Sequence, residues 1–386
     1  MTSNEEFKIA LSTEELERRT NKDALPSTTM LKADAPEYLN LAQGDKDALK
    51  HLVKAGKILE EVHLKLDNPK NIPFREFLKK EIEKGNKDAE MAMKMFLGQK
   101  GMNALDTESH MVNLAEGVEE TDGKGFYPED LKADEFQNIL IKMLKEGKDD
   151  EVKKIVNQRS VVFRDGDELK AVDYTELFKD EFEKMAQEFE KAAETSTNAD
   201  FNEYLKLQAK ALRVADPMAD AYADKKWATL QDTPLELTIT RECYDDTLST
   251  SISENKELLK MLDDRNIQVY PKDSLGCRVG IINKESTNDL LKIKKFLPEM
   301  AKMMPFNDKY VQNIKPDGDS KQTMIDVDLL MLAGDCGAYR GGVTLAENLP
   351  NDDKMSLTIG GGRRNVYHRQ IRLGAKPEKI KERLNA

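Results

Sequence analysis

The stretch LELTITRECYDDTL, from Leu235 to Leu248, is the part of the sequence that decides the fold class. Its apolar residues Leu235, Leu237 and Ile239 alternate with polar ones, which is the period of a β-strand with one buried face and one free face. The preceding sequence is mainly helical in pattern, so a change of architecture is expected near Pro234. We therefore predict an α+β fold, in which a helical N-terminal part is followed by a lobe with a mixed or antiparallel β-sheet and further helices.

Helical periodicity dominates the sequence before this strand. Leu49, Leu52 and Leu59 fall on one face of a predicted helix, which should stop before Pro69. The segment SVVFRDGDELKAV, residues 160–172, interrupts the helices and predicts a β-hairpin. Its Asp-Gly pair at 165–166 supplies the positive backbone angles that a tight turn needs.

Three regions follow from these patterns. Residues 1–44 are polar and without a clear period, which predicts an extended N-terminal arm. Residues 45–233 form a mainly helical region that contains the hairpin, and residues 234–386 form a strand-containing region. In the last region Ser251 and Glu254 predict a capping box for a helix through Leu262. A second alternating strand is predicted around Val327.

Composition and charge exclude some function classes. A net charge of -12 argues against nonspecific binding to nucleic acid, since phosphate contacts need a basic face. No apolar run approaches the length of a membrane span, and the charged N-terminus lacks a secretory signal. The three cysteines, Cys243, Cys277 and Cys336, are too few and too scattered for a disulfide framework. A cytoplasmic protein is therefore expected.

Catalytic and metal-binding patterns are sparse. The four histidines, His51, His63, His110 and His368, include no HExxH or HExxxH spacing, so no zinc site can be assembled from them. The sequence also lacks a GxSxG nucleophile elbow. It therefore assigns no catalytic residue and no metal ligand.

Glu242 and Tyr244, together with Asn348 and Asn351, form the strongest candidate binding site. A carboxylate at the end of a strand can accept charge-assisted hydrogen bonds from an ammonium group. Proline fixes the turn in the segment NLPN, residues 348–351, so two amides present donors and acceptors in a set relation. Such amides suit the backbone of an extended peptide. On composition alone, however, a polar strand end and an NLPND turn are common structural features.

The segments ECYDD, residues 242–246, and NLPN resemble the substrate-binding segments of the dipeptidyl peptidase III family of zinc metallopeptidases. The resemblance implies that Glu242, Tyr244, Asn348 and Asn351 hold the free amino terminus and first residues of a peptide, from which dipeptides are released. Four further segments resemble the family's compact bacterial branch more weakly and occur in the same order as in that branch. They are LVKAGKILEEVHLKL, GKGFYPEDLKADEF, SVVFRDGDELKAVDY and WATLQDTPLELTI.

The sequence departs from the family's pattern in one chemical respect. No positions match the zinc ligands or the glutamate base, so region 234–386 is expected to be a substrate-binding part truncated before the zinc helices. The resemblance implies a short peptide with a free N-terminus as partner. Zinc would be bound only if a missing downstream or partner segment supplied ligands, and hydrolysis by this chain alone is not expected. The alternatives are a non-enzymatic peptide-binding or interaction protein and a structural remnant, and the sequence assigns no oligomeric state.

Overall fold

The computed structural model describes residues 7–21, 36–105, 110–118, 120–243, 246–303 and 325–334. Helices dominate up to Trp227, and the three longest strands of these ranges follow Pro234. The predicted α+β class with a helical N-terminal part is confirmed, and the larger sheet is antiparallel. No helix in the described ranges combines the length and apolar character that a membrane span needs.

The helices and strands of the described ranges follow one another in chain order. The helices are α1 (Thr13–Thr20), α2 (Pro36–Leu39), α3 (Gln43–Asp67), α4 (Asn71–Glu83), α5 (Lys87–Gln99), α6 (Ala133–Lys145), α7 (Asp149–Ile155), α8 (Tyr174–Leu177), α9 (Lys179–Thr195), α10 (Ala199–Arg213), α11 (Pro217–Trp227), α12 (Thr247–Ser251), α13 (Lys256–Asp263), α14 (Lys284–Lys294) and α15 (Leu297–Met303). The strands are β1 (Asn103–Leu105), β2 (Met111–Asn113), β3 (Ser160–Asp165), β4 (Glu168–Asp173), β5 (Leu235–Cys243), β6 (Asp273–Ile282) and β7 (Val327–Gly334).

Helix α3 is the longest described element and organises the main core. It packs against α9 and against strands β6 and β7. A Cβ added at Gly56 would come within 2.8 Å of the Met331 sulfur on β7, so a glycine lets the helix approach the sheet closely. The helix ends at Asp67, and Asn68 is extended as expected for a residue before proline. The predicted helix and its end before Pro69 are confirmed.

A second core cluster lies nearer the N-terminus and includes helix α1. The Ser12 side chain accepts a hydrogen bond from the Glu15 N–H, and Leu16 is fully buried among residues of α4 and α5. The prediction of an extended arm is therefore wrong for Thr13–Thr20. The missed signal was local, since Ser12 and Glu15 have the spacing of a capping box.

The predicted β-hairpin is confirmed. Strands β3 and β4 pair antiparallel from Ser160 opposite Asp173 to Asp165 opposite Glu168. Gly166 follows Asp165 with a φ of 62°, a conformation that glycine adopts without steric cost. The turn lies one residue later than predicted, because Asp165 pairs with Glu168 and the positive angle falls on Gly166 and not on Asp165.

The main sheet has the strand order β5-β6-β7, with both pairs antiparallel. Its apolar positions on β5 are buried as predicted. The opposite face is not free, because Glu236, Thr238 and Thr240 are also buried. Glu236 accepts hydrogen bonds from the Trp227 indole N–H at 2.5 Å and from the Thr238 hydroxyl at 3.0 Å. These internal partners allow polar side chains to be buried.

The predicted capping box at Ser251 and Glu254 is wrong. Helix α13 begins at Lys256, and the Asn255 side chain accepts the N–H of Leu258 at 3.0 Å. Ser251 instead ends the short helix α12, and its hydroxyl donates to a backbone oxygen of that helix. Ser251 therefore belongs to the short helix α12, and Asn255 is the residue that caps α13.

Candidate functional site

The four residues that the sequence predicts as a site lie only partly within the described ranges. Glu242 is the penultimate residue of β5, and its Cα partner on β6 is Ser274. Tyr244, Asn348 and Asn351 lie outside the described residues. The position of Glu242 at a strand end is confirmed, while the grouping of the four side chains stays a prediction.

A buried histidine lies beside this end of the sheet. His63 on α3 is 2% exposed, and its Nδ1 lies 3.5 Å from the Ser274 hydroxyl, at the long limit of a hydrogen bond. Because Ser274 is the Cα partner of Glu242, helix α3 reaches the same end of the sheet. His63 therefore contacts the residue that pairs with Glu242 across the strands.

The side chain of the residue before Glu242 is largely covered and is paired. The Nε of Arg241 donates to the carboxylate of Asp220 on α11 at 3.2 Å, and its Nη1 donates to the Tyr174 hydroxyl. Its guanidinium carbon lies 5.3 Å from the centre of the Tyr174 ring. One arginine therefore connects strand β5 to helices α8 and α11.

Asp220 is shared between two arginines. Its Oδ2 lies 2.6 Å from the Nη1 of Arg159, whose Nε lies 3.4 Å from the carboxylate of Asp273 at the start of β6. Arg241, Asp220, Arg159 and Asp273 thus form a chain of alternating charges that cancel. Burial raises the pKa of Asp273, while the charges of Arg159 and Arg241 lower it. The pKa of Asp273 stays above its ordinary value, so the two arginines only partly offset the effect of burial.

The chain after Glu242 is also fixed by a buried carboxylate. Asp246 is 3% exposed, and its Oδ1 accepts the N–H of Ser249 at 2.6 Å, which caps helix α12. Its Oδ2 accepts the backbone N–H of Lys272 at 2.9 Å. One side chain therefore starts a helix and ties it to the residue before strand β6.

The ammonium group of Lys272 is buried among oxygen acceptors. Its three N–H bonds match three acceptors at 2.7 Å each: the carbonyls of Ile155 and Asn157 and the hydroxyl of Ser160. The Nζ also lies 4.9 Å from the centre of the Tyr127 ring. These contacts join the C-terminus of α7 and the start of β3 to β6.

Burial also shifts the acid–base equilibrium of Lys272. It lowers the pKa to about 7, against the opposing effect of the Asp246 and Asp273 carboxylates. The burial of Tyr127 likewise raises the pKa of its phenol, which lies 3.0 Å from the Ser249 hydroxyl. The strand end is therefore surrounded by ionisable groups that have lost their contact with water.

Most of these buried charged residues were not identified from the sequence. The missed residues are Arg159, Tyr174, Asp220, Arg241, Asp246, Lys272 and Asp273. Adjacent charges at Lys272 and Asp273, directly before an apolar strand, were the one local signal. Charged residues are rarely buried unless paired, so charges next to a core strand point to partners elsewhere in the chain.

The described residues do not fit a zinc site. Within the described ranges, no group of three or more histidine, cysteine, aspartate or glutamate side chains is arranged to hold a metal ion. His51 instead contacts the Glu188 carboxylate at 2.6 Å, and His63 faces Ser274. No chemical step is therefore assigned to a metal here.

A shallow cleft of about 600 Å³ lies between helix α7 and the β3–β4 hairpin. Lys153, Asn157, Ser160 and Asp173 are among its lining residues. Asn157 and Ser160 connect the cleft to the buried charges, because the Asn157 carbonyl and the Ser160 hydroxyl both accept from the Lys272 ammonium group.

Comparison with known proteins identifies the fold. No protein-family profile and no curated protein matches the sequence. Among solved structures, the chain is similar to dipeptidyl peptidase III from Caldithrix abyssi, with a TM-score of 0.64 and 26% sequence identity over 85% of this chain and 55% of that one. It is also similar in fold to dipeptidyl-peptidase III from Corallococcus sp. strain EGB, with a TM-score of 0.61 and 20% identity over 88% of this chain and 56% of that one.

The chain spans little more than half the length of these two structures. The likeness nevertheless covers most of the chain, and the sequence resemblance at residues 242–246 points to the same proteins. The fold and these residues together support a dipeptidyl peptidase III-like family for the chain.

Proposed function

We propose that this chain binds short peptides by their free amino terminus, through Glu242, Tyr244, Asn348 and Asn351. The similarity of its fold to two dipeptidyl peptidase III structures is the observation that carries the proposal. Glu242 supports it further, because this residue of the family-like segment lies at the end of a strand in the main sheet. In this proposal the chain is the peptide-holding part of a dipeptidyl peptidase III-like protein.

The charges around Glu242 suit this role. The guanidinium of Arg241, its neighbour in the chain, is already held by Asp220 and Tyr174. The cation next to Glu242 in sequence is thus neutralised by partners of its own. A peptide ammonium can then be the counter-charge of the Glu242 carboxylate, in a charge-assisted hydrogen bond.

Titration calorimetry tests the proposal with one short peptide in two forms, one with a free and one with an acetylated N-terminus. The free form should bind more tightly by about tenfold or more, since hydrogen bonds to charged groups contribute about 1.5–3 kcal/mol. A Glu242→Gln variant should lose this preference. The matched control is Glu254→Gln, which removes an exposed carboxylate beyond α12. Equal affinity of the parent for both peptide forms would rule out the proposed role of Glu242.

We further propose that peptide hydrolysis needs metal ligands beyond those of the described residues. After incubation with zinc and removal of excess metal, elemental analysis should find no stoichiometric zinc on this chain. Stoichiometric zinc, together with release of dipeptides from the free peptide, would instead favour an enzyme complete in itself. Peptide binding without either result would favour the alternative, a non-enzymatic peptide-binding or interaction protein.

We also propose a cytoplasmic location, which rests on the sparse and scattered cysteines of the sequence. Fractionation of the native cells with antibody detection tests it. Recovery of the protein outside the cytoplasmic fraction would contradict this proposal without affecting the peptide-binding one.

A further inference from the structure

A serine hydroxyl and a buried amine meet at the wall of the cleft between α7 and the β3–β4 hairpin. The Nζ of Lys272 lies 2.7 Å from the Oγ of Ser160, and the two residues are 3% and 4% exposed. Ser160 lines the cleft, so its hydroxyl lies between the cleft and the amine. We call these two residues the serine–lysine pair.

The surroundings of the amine suit both of its protonation states. When charged, Lys272 donates to the Ile155 and Asn157 carbonyls and to the Ser160 hydroxyl, which itself donates to the Asn157 carbonyl at 3.0 Å. When neutral, it has two N–H groups for the two carbonyls and one lone pair that accepts the Ser160 O–H. The amine can therefore take the serine proton and return it without leaving a buried polar group unpaired.

The charges that face the amine leave it able to act as a base. Burial lowers the pKa of Lys272 to about 7, while the Asp246 and Asp273 carboxylates raise it. The Tyr127 ring lies 4.9 Å from Nζ, and burial raises the pKa of its phenol, so that side chain stays neutral. The charged residues on the cleft side are Asp150, Lys153, Lys154 and Asp173. A sizeable fraction of the amine is thus neutral near pH 7, the state in which it accepts a proton.

The cleft offers room and charge for a small acyl group. Its volume of about 600 Å³ is in the range of sites for small organic molecules. Ala171 and Val172 line it from the hairpin, and Lys153 and Lys154 line it from α7. Two ammonium groups beside the serine suit the negative oxygen that forms when a nucleophile attacks an ester carbonyl.

A purely structural lysine would not need the serine. The Ile155 and Asn157 carbonyls are enough to tie the end of α7 to β6 through the Lys272 side chain. The third contact joins a desolvated amine to a hydroxyl that lines a cleft. A nucleophile within hydrogen-bond reach of its base is the arrangement of acyl-transfer sites, of which serine–lysine pairs are one variant.

We propose that Ser160 is the nucleophile and Lys272 its general base in a second site, which hydrolyses esters of small carboxylic acids. Ser160 Oγ bonds to the ester carbonyl carbon while Lys272 takes the hydroxyl proton. The ester C–O bond then breaks, and the leaving alkoxide takes that proton and departs as an alcohol. Water attacks the acyl-serine, its proton passes through Lys272 to Ser160 Oγ, and the carboxylic acid is released. This site is independent of the peptide site proposed above.

A fluorophosphonate probe tests the nucleophile, because an activated serine oxygen bonds to its phosphorus and displaces fluoride. The native protein should be labelled on Ser160, as located by tandem mass spectrometry, and Ser160→Ala should remove the label. The matched control is Ser253→Ala, at an exposed serine, which should label like the parent. No label on Ser160 in the parent, or the same labelling rate after denaturation in urea, would overturn the proposal.

Turnover of p-nitrophenyl acetate tests the complete cycle. The parent and Ser253→Ala should release p-nitrophenolate steadily, and Ser160→Ala should lose this activity. Equal turnover by the parent and Ser160→Ala would overturn the proposal, since acetyl transfer would then occur elsewhere on the protein. Neither result affects the peptide-binding proposal, whose residues lie outside this pair.

Lys272→Met tests the base. Loss of a general base should slow labelling of Ser160 by about a hundredfold or more, in a variant shown by circular dichroism to be folded. Lys256→Met, at an exposed lysine, should label at the parent's rate. A Lys272→Met rate within about twofold of the parent's, where a hundredfold was expected, would show that the amine does not activate the serine and would overturn the proposal.

The pH profile of the parent gives a result that does not depend on the variants folding. Labelling should speed up as pH rises toward the Lys272 pKa of about 7 and level off above it, because the neutral amine is the base. A rate that keeps rising with pH without levelling is that of a serine without a base, and it would overturn the proposal.

Discussion

Arg241 and Asp220 form a largely buried ion pair, 3.2 Å long, that joins strand β5 to helix α11 immediately before Glu242. Asp220 also contacts Arg159 at 2.6 Å, so one carboxylate balances two guanidinium groups. The pair links the packing of the helical part to the strand end that carries the proposed ammonium ligand. A change in the helical part can therefore alter the geometry of the candidate site.

Asp220→Ala should destabilise the protein strongly. The substitution leaves Arg159 and Arg241 buried, with side-chain exposures of 5% and 8%, and with their shared counter-charge removed. Breaking a buried ion pair in this way costs about 3 kcal/mol or more in the free energy of unfolding. Urea denaturation monitored by circular dichroism measures it.

The control for this prediction is Asp200→Ala. Asp200 pairs with Lys226 at 2.7 Å, but its side chain is 68% exposed. Exposed pairs contribute at most about 1 kcal/mol, so the control should lose little stability. Equal losses for Asp220→Ala and Asp200→Ala would contradict the importance of the buried cluster.

Stability should depend on pH through Lys272. Burial lowers its pKa from 10.5 to about 7, so between these values the unfolded chain holds a proton that the folded chain has released. Unfolding then takes up a proton, and the free energy of unfolding rises with pH across this window, by about 1 kcal/mol per pH unit. Without the nearby Asp246 and Asp273 carboxylates, which favour the charged amine, the pKa of Lys272 would be lower still and the window wider.

Comparison of the parent with Lys272→Met isolates this contribution. Denaturation between pH 7 and pH 9, a window set by the lowered pKa of Lys272, should give a steeper rise for the parent than for the variant. Exposed Lys154 provides the control, since Lys154→Met should leave the parent's slope unchanged. Identical slopes in parent and Lys272→Met would mean that the three oxygen acceptors keep the buried amine charged throughout.

Gly334→Ala should be much more damaging than an ordinary glycine substitution. Gly334 has a φ of 63° at the end of β7, and an added Cβ would lie 2.2 Å from the Leu275 carbonyl oxygen and 2.5 Å from a methyl carbon of Leu59. Backbone strain and overlap together should cost about 3 kcal/mol or more. Thermal unfolding measures the loss.

Gly85→Ala separates the two causes. Gly85 also has a positive φ, 85°, but an added Cβ would meet no atom within 4 Å. This variant should lose only the strain, about 1 kcal/mol. If both alanine variants lose the same stability, the close approach at Gly334 contributes nothing.

Tyr204→Phe should weaken the contact between helix α10 and strand β5. The buried Tyr204 hydroxyl donates to the Leu237 carbonyl at 2.9 Å and accepts from the Gln208 amide at 3.2 Å. Its removal leaves two buried polar groups without this partner, which costs about 2 kcal/mol. Tyr222→Phe, at a tyrosine that is 52% exposed, should change the free energy of unfolding by less than about 0.5 kcal/mol. A loss no larger for Tyr204→Phe than for Tyr222→Phe would contradict the prediction.

Local patterns predicted several elements correctly. The apolar stripe of α3 and its stop before Pro69, the hairpin at residues 160–173 and the alternating strand β5 are all confirmed. Each depends on interactions within a few residues: helical or strand periodicity, a proline, or a glycine in a tight turn. Helix α1 was missed although its capping box is equally local, because its single fully buried residue, Leu16, gives no periodic signal.

The candidate site was likewise predicted from the sequence only in part. The sequence identified Glu242 at a strand end, and the structure confirms that position. It gave no indication that the polar face of β5 is buried, because alternation shows only that two faces differ. Whether Glu236 and Thr238 meet water depends on what covers them, which a local pattern does not encode.

By itself, the sequence determined the α+β class, the main helix, the hairpin and the resemblance at residues 242–246. Only the tertiary structure decided which charges surround that segment: Asp220 between two arginines, and Lys272 and Asp273 at both of its ends. The physical reason is distance along the chain. A charged residue is stable in the core only with a partner, and residues as far apart as Arg159 and Asp273 meet only when the whole fold brings them together.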